Sequence, residues 1–395
     1  MKSQHFESIA VRDQMERTAY REHSSPLFLT SSFTFPSPEN MAEVFQGEGE
    51  NFIYSRYHNP NTDEFIHKMC RLEGVEDGFA TASGMAAVFA GIAPFVSQGD
   101  HILASRALFG STLQILSHIL PKWGISFSLT DPTSPSDWEE KIQSNTCMFL
   151  LESPSNPGLD LVDLTLAGEF CKKHKLLFHI DNCFATPYLQ QPAKYGADLI
   201  IHSATKWIDG QGRVLGGIVV GRAELIEKVR FFCRHTGPAM PPFNAWILSK
   251  SLETLVVRME RHCENAHQLA LFLLERPEIR QVIYPFLPTH PQYEIAKKQM
   301  KLGGGIVSFE VKGGIKGAMN FLNNLQFCSL SSNLGDTRTI LTHPASTTHS
   351  KLSPDEKLAV GITDGLIRIS VGLEHTDDLK ADLLHACLKM SGNEP

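Results

Sequence analysis

From about Gly78 onward, short apolar runs alternate with stretches of helical periodicity, and this alternation restricts the fold more than any other feature of the chain. Strands separated by helices line up in the same direction, because each helix carries the chain back across a face of the sheet. FATAS (79–83) feeds the helical run GMAAVFAGIAPFV, and HILAS (101–105) precedes a helix over 111–123. ISFSLTD (125–131), CMFLLE (147–152), LLFHID (176–181), ADLIIHS (197–203) and GGIVVG (216–221) add five runs with turn residues between them. An α/β fold with a mostly parallel, seven-stranded sheet is expected.

A helical region over 245–275 stops before Pro277, where a helix cannot continue without loss. Beyond it, GGGIVSFEV (303–311), a helix over 316–324, FCSLS (327–331), LIRISVG (366–372) and a last amphipathic helix predict a smaller α+β domain. The first 50 or so residues have weak periodicity with several Pro and Ser, so they read as an arm. The expected division is an arm at the subunit interface (1–55), a large domain (56–255) and a C-terminal domain (256–395). A chain of 395 residues exceeds the size at which one core usually stops growing, which agrees with more than one domain.

Composition excludes some functions. A net charge of -7 opposes a phosphate backbone, so nucleic acid is not an expected partner. No apolar run approaches the roughly 20 residues that span a bilayer, and MKSQHFESIAVRDQMERTAY has no apolar block of a secretory or transit signal. A cytoplasmic protein without a membrane partner is expected. The eight cysteines form no C-x-x-C pair and mostly sit among apolar neighbours, so they read as reduced, buried thiols. His262-Cys263-Glu264 with His267 lacks a second ligand group at metal spacing, and no metal is expected.

In open α/β sheets ligands bind beyond the carboxyl ends of the strands, so polar residues there are the ones to collect. Ser83-Gly84-Met85 ends the first strand at a helix start, where free N–H groups and the helix dipole favour a phosphate; Ser-Gly is equally an ordinary cap. Asp181 ends LLFHID, where a carboxylate can hold a pyridinium nitrogen protonated, although a lone strand-end Asp is more often a turn residue. Ser203-Ala204-Thr205-Lys206 follows the next strand and puts two hydroxyls beside an amine. Desolvation of Lys206 would lower its pKa and favour attack on an aldehyde; position alone favours a solvated lysine. Together the three strand ends supply phosphate donors, a pyridinium partner and a Schiff-base amine, the combination that pyridoxal 5'-phosphate (PLP) chemistry uses. G-x-G-x-x-G and G-x-x-x-x-G-K-[ST] are absent at the corresponding turns.

YSRYHNPNT (54–62), ATASGMAA (80–87), ESPSNP (152–157), DNCFATPYLQQP (181–192) and HSATKWIDGQG (202–212) together resemble the Cys/Met-metabolism family of PLP enzymes, over nearly the whole chain. The resemblance implies the aspartate-aminotransferase type of fold, with Lys206 as the Schiff-base and proton-transferring lysine and Asp181 at the pyridine nitrogen. Ser83, Gly84, Met85, Ser203 and Thr205 become phosphate ligands. It also implies that Tyr54 and Arg56 reach the phosphate of a neighbouring subunit's cofactor, in a dimer or a homotetramer built from dimers. Arg368, in LIRISVGLE, becomes the grip on the substrate α-carboxylate, and Asn156 a ligand near the cofactor ring oxygen.

Three departures narrow the subgroup. Phe109 stands where many relatives have Tyr, keeping an aromatic face for the cofactor but no phenol. Asn333-Leu334-Gly335 replaces Ser-Leu-Gly, which puts Asn333 at the substrate, and Gln211-Gly212-Arg213 replaces His-Ser-Asp. With GDTRTILTHPASTTHS (335–350), these features resemble the family's O-succinylhomoserine sulfhydrylases more than its lyases. The implied reaction is γ-replacement by sulfide, for methionine biosynthesis. The alternatives are cystathionine γ-synthase, O-acetylhomoserine sulfhydrylase, a methionine or cystathionine γ-lyase, and a non-enzymatic PLP-binding scaffold.

Overall fold

A computed structural model describes residues 4–48, 51–350 and 352–390. Seven strands make the larger sheet: β1 (Asp77–Thr81), β2 (His101–Ser105), β3 (Ser126–Thr130), β4 (Thr146–Glu152), β5 (Leu177–Asp181), β6 (Leu199–His202) and β7 (Gly217–Gly221). Their spatial order is β1-β7-β6-β5-β4-β2-β3. The pairs β2–β3, β2–β4, β4–β5 and β5–β6 are parallel, while β7 runs antiparallel to both β1 and β6. The expected mostly parallel sheet is therefore present. FATAS is shifted: the strand starts at Asp77 and ends at Thr81, because Ser83 already caps the following helix Gly84–Ile92.

Both faces of this sheet are covered, which explains why its strands are nearly continuous apolar runs. Alternate side chains enter opposite cores. Phe149, Leu151, Ile200, Ile218 and Val220 pack on one side; Met148, Leu150, Leu199, Ile201 and Val219 pack on the other. The helix Pro60–Glu73 lies against β1 and has clear termini: Pro60 at its first position, an Asn59–Thr62 capping box, and Gly74 in the left-handed conformation at its end.

The expected helix over 245–275 is two helices, Pro242–Leu252 and Leu255–Leu274, with the break at Glu253–Thr254. There Thr254 N–H and Oγ1 both bond to the Ser251 carbonyl, a side-chain competition that ends helices. The second helix joins the two halves of the molecule. Leu255, Met259 and Cys263 belong to the core of the large sheet, and Ala266, Leu269, Ala270 and Leu273 to that of the smaller one.

The smaller sheet contains β8 (Ile279–Ile283), β9 (Ile306–Val311), β10 (Ser329–Leu330), β11 (Ile340–Thr342) and β12 (Leu366–Ser370), in the order β10-β11-β12-β9-β8. β8 and β11 were not expected from the sequence, since IRQVI carries the exposed polar pair Arg280 and Gln281 and ILT is too short to stand out. The arm is only partly detached from the core. Ala10 is buried in the large core, Phe6 packs on Tyr188, and Trp246 Nε1 donates to the Ser25 carbonyl, while Tyr20 and Leu29 are exposed. None of the eight cysteines forms a disulfide; Cys147, Cys183 and Cys328 are only half-buried, short of the full burial expected.

Candidate functional site

β4, β5 and β6 end together, and their last residues with the loops that follow converge on one place. Lys206 lies in the loop after β6, and its Nζ donates to Asn333 Oδ1 at 2.5 Å. Burial lowers the pKa of Lys206 from the usual lysine range, and the charge of Arg368 acts in the same direction. A nucleophilic amine requires that shift. Gly335, at φ +77°, lies so close behind this residue that a Cβ there would sit 2.8 Å from the Lys206 carbonyl carbon.

Arg368 sits on β12, whose alternation sends Ile367 and Ile369 into the small-sheet core and Arg368 to the opposite face. β12 is flanked by β11 and β9, so Arg368 is not an edge-strand arginine. The side chain is 1 % exposed. Nη1 donates to Asn156 Oδ1 at 3.1 Å, and Nη2 to the carbonyls of Asn333 (2.8 Å) and Ser332 (3.3 Å). Nε is buried without a partner, and among the described residues no carboxylate pairs with this guanidinium. Burial lowers its pKa to about 10, which leaves it charged at neutral pH. A buried cation held only by neutral groups is suited to an anionic ligand.

The helix Gly84–Ile92 opens beside this centre. Ser83 Oγ accepts from Ala86 N–H and its carbonyl from Ala87 N–H. Gly84 and Met85 remain with N–H groups that a helix cannot satisfy internally. Gly84 also faces Ser203 so closely that a Cβ on it would lie 2.5 Å from Ser203 Cβ and Oγ. Ser203 thus joins the helix start. Thr205 is nearby in sequence, but its Oγ1 donates to the Gly216 carbonyl (3.2 Å) and accepts from Gly216 N–H (3.1 Å), so an anion would have to compete for it.

Asp181 ends β5, and its Oδ1 accepts from Cys183 N–H at 2.9 Å. Burial raises its pKa, and the Cys183 N–H bond opposes that rise. Glu152 ends β4 in direct register with Asp181, and its Oε2 accepts from Phe109 N–H at 2.7 Å. Behind both strand ends, buried Glu73 Oε1 accepts from Asn182 Nδ2 (3.0 Å) and pairs with His202 Nε2 (2.6 Å). These bonds fix the C-terminal ends of β5 and β6 to the helix Pro60–Glu73.

Lys206, Asn333, Arg368 and Asn156 are therefore linked by hydrogen bonds, with Ser83, Gly84, Met85, Ser203, Asp181 and Phe109 on the neighbouring strand ends. Tyr54 and Arg56 belong to another cluster: Arg56 donates to the Arg234 carbonyl and packs over the Tyr54 and Tyr57 rings. His262 Nδ1 bonds to the Val371 carbonyl at 2.7 Å, and among the described residues no group of three His, Cys, Asp or Glu is placed to hold a metal. Sequence reasoning assigned no role to Glu152, although it ends CMFLLE just as Asp181 ends LLFHID. The Glu73–His202–Asn182 contacts join residues 109 and 129 positions apart and left no sequence signal.

The cradle formed by Gly84 and Ser203, the orphaned Nε of Arg368 and the desolvated amine of Lys206 fit an aldehyde cofactor with a phosphate tail and a substrate carboxylate. This fold and this donor set define a PLP-dependent enzyme. The Cys/Met metabolism PLP-dependent enzyme family matches residues 7–388, and the chain belongs to that family, whose enzymes act in sulfur amino-acid metabolism. It is 46% identical over 378 residues to an O-succinylhomoserine sulfhydrylase of Pseudomonas aeruginosa, covering 96% of this chain and 94% of the relative. An L-methionine gamma-lyase of Porphyromonas gingivalis is 40% identical over 383 residues, covering 96% of each chain. A solved chain from Campylobacter jejuni subsp. jejuni that contains N'-pyridoxyl-lysine-5'-monophosphate superposes with a TM-score of 0.93 at 34% identity, covering 97% of this chain and 99% of its own. Among the described residues no helix is long and apolar enough to cross a membrane.

Proposed function

We propose that the protein catalyses γ-replacement on O-succinylhomoserine with sulfide, giving homocysteine and succinate, as a cytoplasmic homotetramer. The observation that carries the reading is the contact chain from Lys206 Nζ through Asn333 to Arg368, which supports pairing a proton-moving amine with a carboxylate grip. The choice of ester and nucleophile is supported by the similarity to an O-succinylhomoserine sulfhydrylase and by Phe109 and Asn333.

When bound, PLP supplies an electron-accepting ring that stabilises negative charge at the substrate Cα. Lys206 holds the cofactor, removes the Cα proton and returns protons to the carbon framework. Asp181 keeps the ring nitrogen protonated, and that positive charge offsets the burial cost of its carboxylate. Ser83, Gly84, Met85, Ser203 and Thr205 bind the phosphate, with Tyr54 and Arg56 serving the cofactor of a neighbouring subunit. Phe109 would offer an aromatic face to the ring. It has no hydroxyl to move protons, which leaves that work to Lys206. Arg368 binds the α-carboxylate, and Asn156 and Asn333 hold Arg368 in position.

A second reading, methionine γ-lyase, is favoured by the 40% identity to such an enzyme. Incubation of the purified enzyme with O-succinylhomoserine or O-acetylhomoserine, each with sulfide or cysteine, and separately with methionine, distinguishes the readings. Homocysteine from the succinyl ester and sulfide is expected as the fastest product. Dominant cystathionine, a preference for the acetyl ester, or faster release of 2-oxobutyrate from methionine overturns the proposal.

A further inference from the structure

Glu152 is 6 % exposed, at the end of β4, and it touches three parts of the site at once. Its Oε2 accepts from the Phe109 N–H, the Asn156 N–H faces its carboxyl, and its register partner on β5 is Asp181. Neighbouring strands lie about 4.8 Å apart, so two carboxyl groups leave adjacent strand ends side by side. The ionisable groups bearing on Glu152 are Asp181 and the thiol of Cys183. Among the described residues no Lys, Arg or His forms an ion pair with it. Two buried carboxylates with no protein cation between them cannot both ionise at low cost.

We propose that Glu152 is a positioning residue that works as a neutral carboxylic acid, presenting Phe109 and Asn156 to the site and leaving Asp181 as the charged member of the pair. Burial and the neighbouring Asp181 push the Glu152 pKa well above the usual carboxylate range, in agreement with the geometry. The consequence reaches Arg368, because Asn156 carries one of its hydrogen bonds. Glu152 touches neither substrate nor cofactor in this scheme. It acts through the groups that do.

The inference rests on cofactor attachment at Lys206 and is independent of the acyl ester. Glu152→Gln keeps an acceptor oxygen for Phe109 N–H and removes any charge, whereas Glu152→Ala removes the anchor. The pH midpoint of the visible absorbance of the lysine-bound cofactor reports charge beside it. E152Q is expected to keep the parent midpoint within about 0.3 pH unit, and E152A to weaken PLP binding by about ten-fold and raise the amino-acid KM more than it lowers kcat. A fall of about one pH unit or more in E152Q overturns the neutral-acid assignment, since it means that a negative charge was lost. Parent-like PLP affinity and KM in E152A overturn the positioning role, and if E152A does not fold, the E152Q midpoint decides. A parent enzyme without visible absorbance would refute attachment at Lys206, a different failure from either of these.

Discussion

At the residue scale, the centre works by leaving selected polar groups unsatisfied. Arg368 has five donors, and neutral oxygens accept from Nη1 and Nη2 while Nε has no partner. Its forked geometry matters more than its charge, since a carboxylate takes two parallel bonds from guanidinium and one from ammonium. Arg368→Lys is therefore expected to raise the KM for the amino-acid substrate by roughly 100-fold with a smaller fall in kcat, in steady-state assays with saturating sulfide. An unchanged KM would mean that the carboxylate binds elsewhere. Lys206 was legible as an amine following an apolar strand; its lowered pKa depends first on burial and then on Arg368, 162 positions away.

Elements set the approach of these groups. The helix Gly84–Ile92 offers its N-terminus because β1 ends at Thr81 and Ser83 caps the first turn. Helix and β6–Lys206 loop can meet only because residue 84 has no side chain. A methyl group at this position would overlap Ser203 at 2.5 Å on both Cβ and Oγ, and part of that contact is backbone-borne. Gly84→Ala is thus expected to weaken PLP affinity by about ten-fold or more, read by titrating apo-enzyme with the cofactor, with a smaller change in melting temperature. Equal affinity in the variant would show that the helix start does not hold the phosphate. The strands were readable because continuous apolar runs of this length suit a sheet covered on both faces. β8 and β11 were not, because their identity comes from pairing with β9 and β12.

For the whole molecule, two sheets with separate cores are joined by one helix, and the site lies between them. Asn156 follows β4 of the large sheet and Arg368 lies on β12 of the small one, so their bond crosses the two halves. Packing on the larger sheet also buries a histidine in neutral form. His179 on β5 is lowered to about 3 by burial, and neither ring nitrogen has a partner among the described residues. The unfolded histidine binds a proton below about pH 6.5 and the folded one does not, so folding stability is complete above that pH. It falls by about 1.4 kcal/mol per pH unit for each such histidine between pH 6.5 and the folded pKa near 3. His179→Leu removes this contribution without breaking a hydrogen bond. Denaturant titration is expected to show near-parent or higher stability at pH 7 and a shallower loss toward pH 4; an equally steep acid limb would exclude His179 as its source.

The sequence by itself determined the larger sheet, the carboxyl-end placement of Ser83, Asp181 and Lys206, and the family, because apolar periodicity and strand-end chemistry are local properties. Tertiary structure alone decided that Asn333 meets both Lys206 and Arg368, that Glu152 stands beside Asp181, and that one helix serves two cores. Those contacts join residues far apart in the chain. They exist only where burial and hydrogen bonding offset the entropy of bringing the segments together, and no local pattern records that outcome.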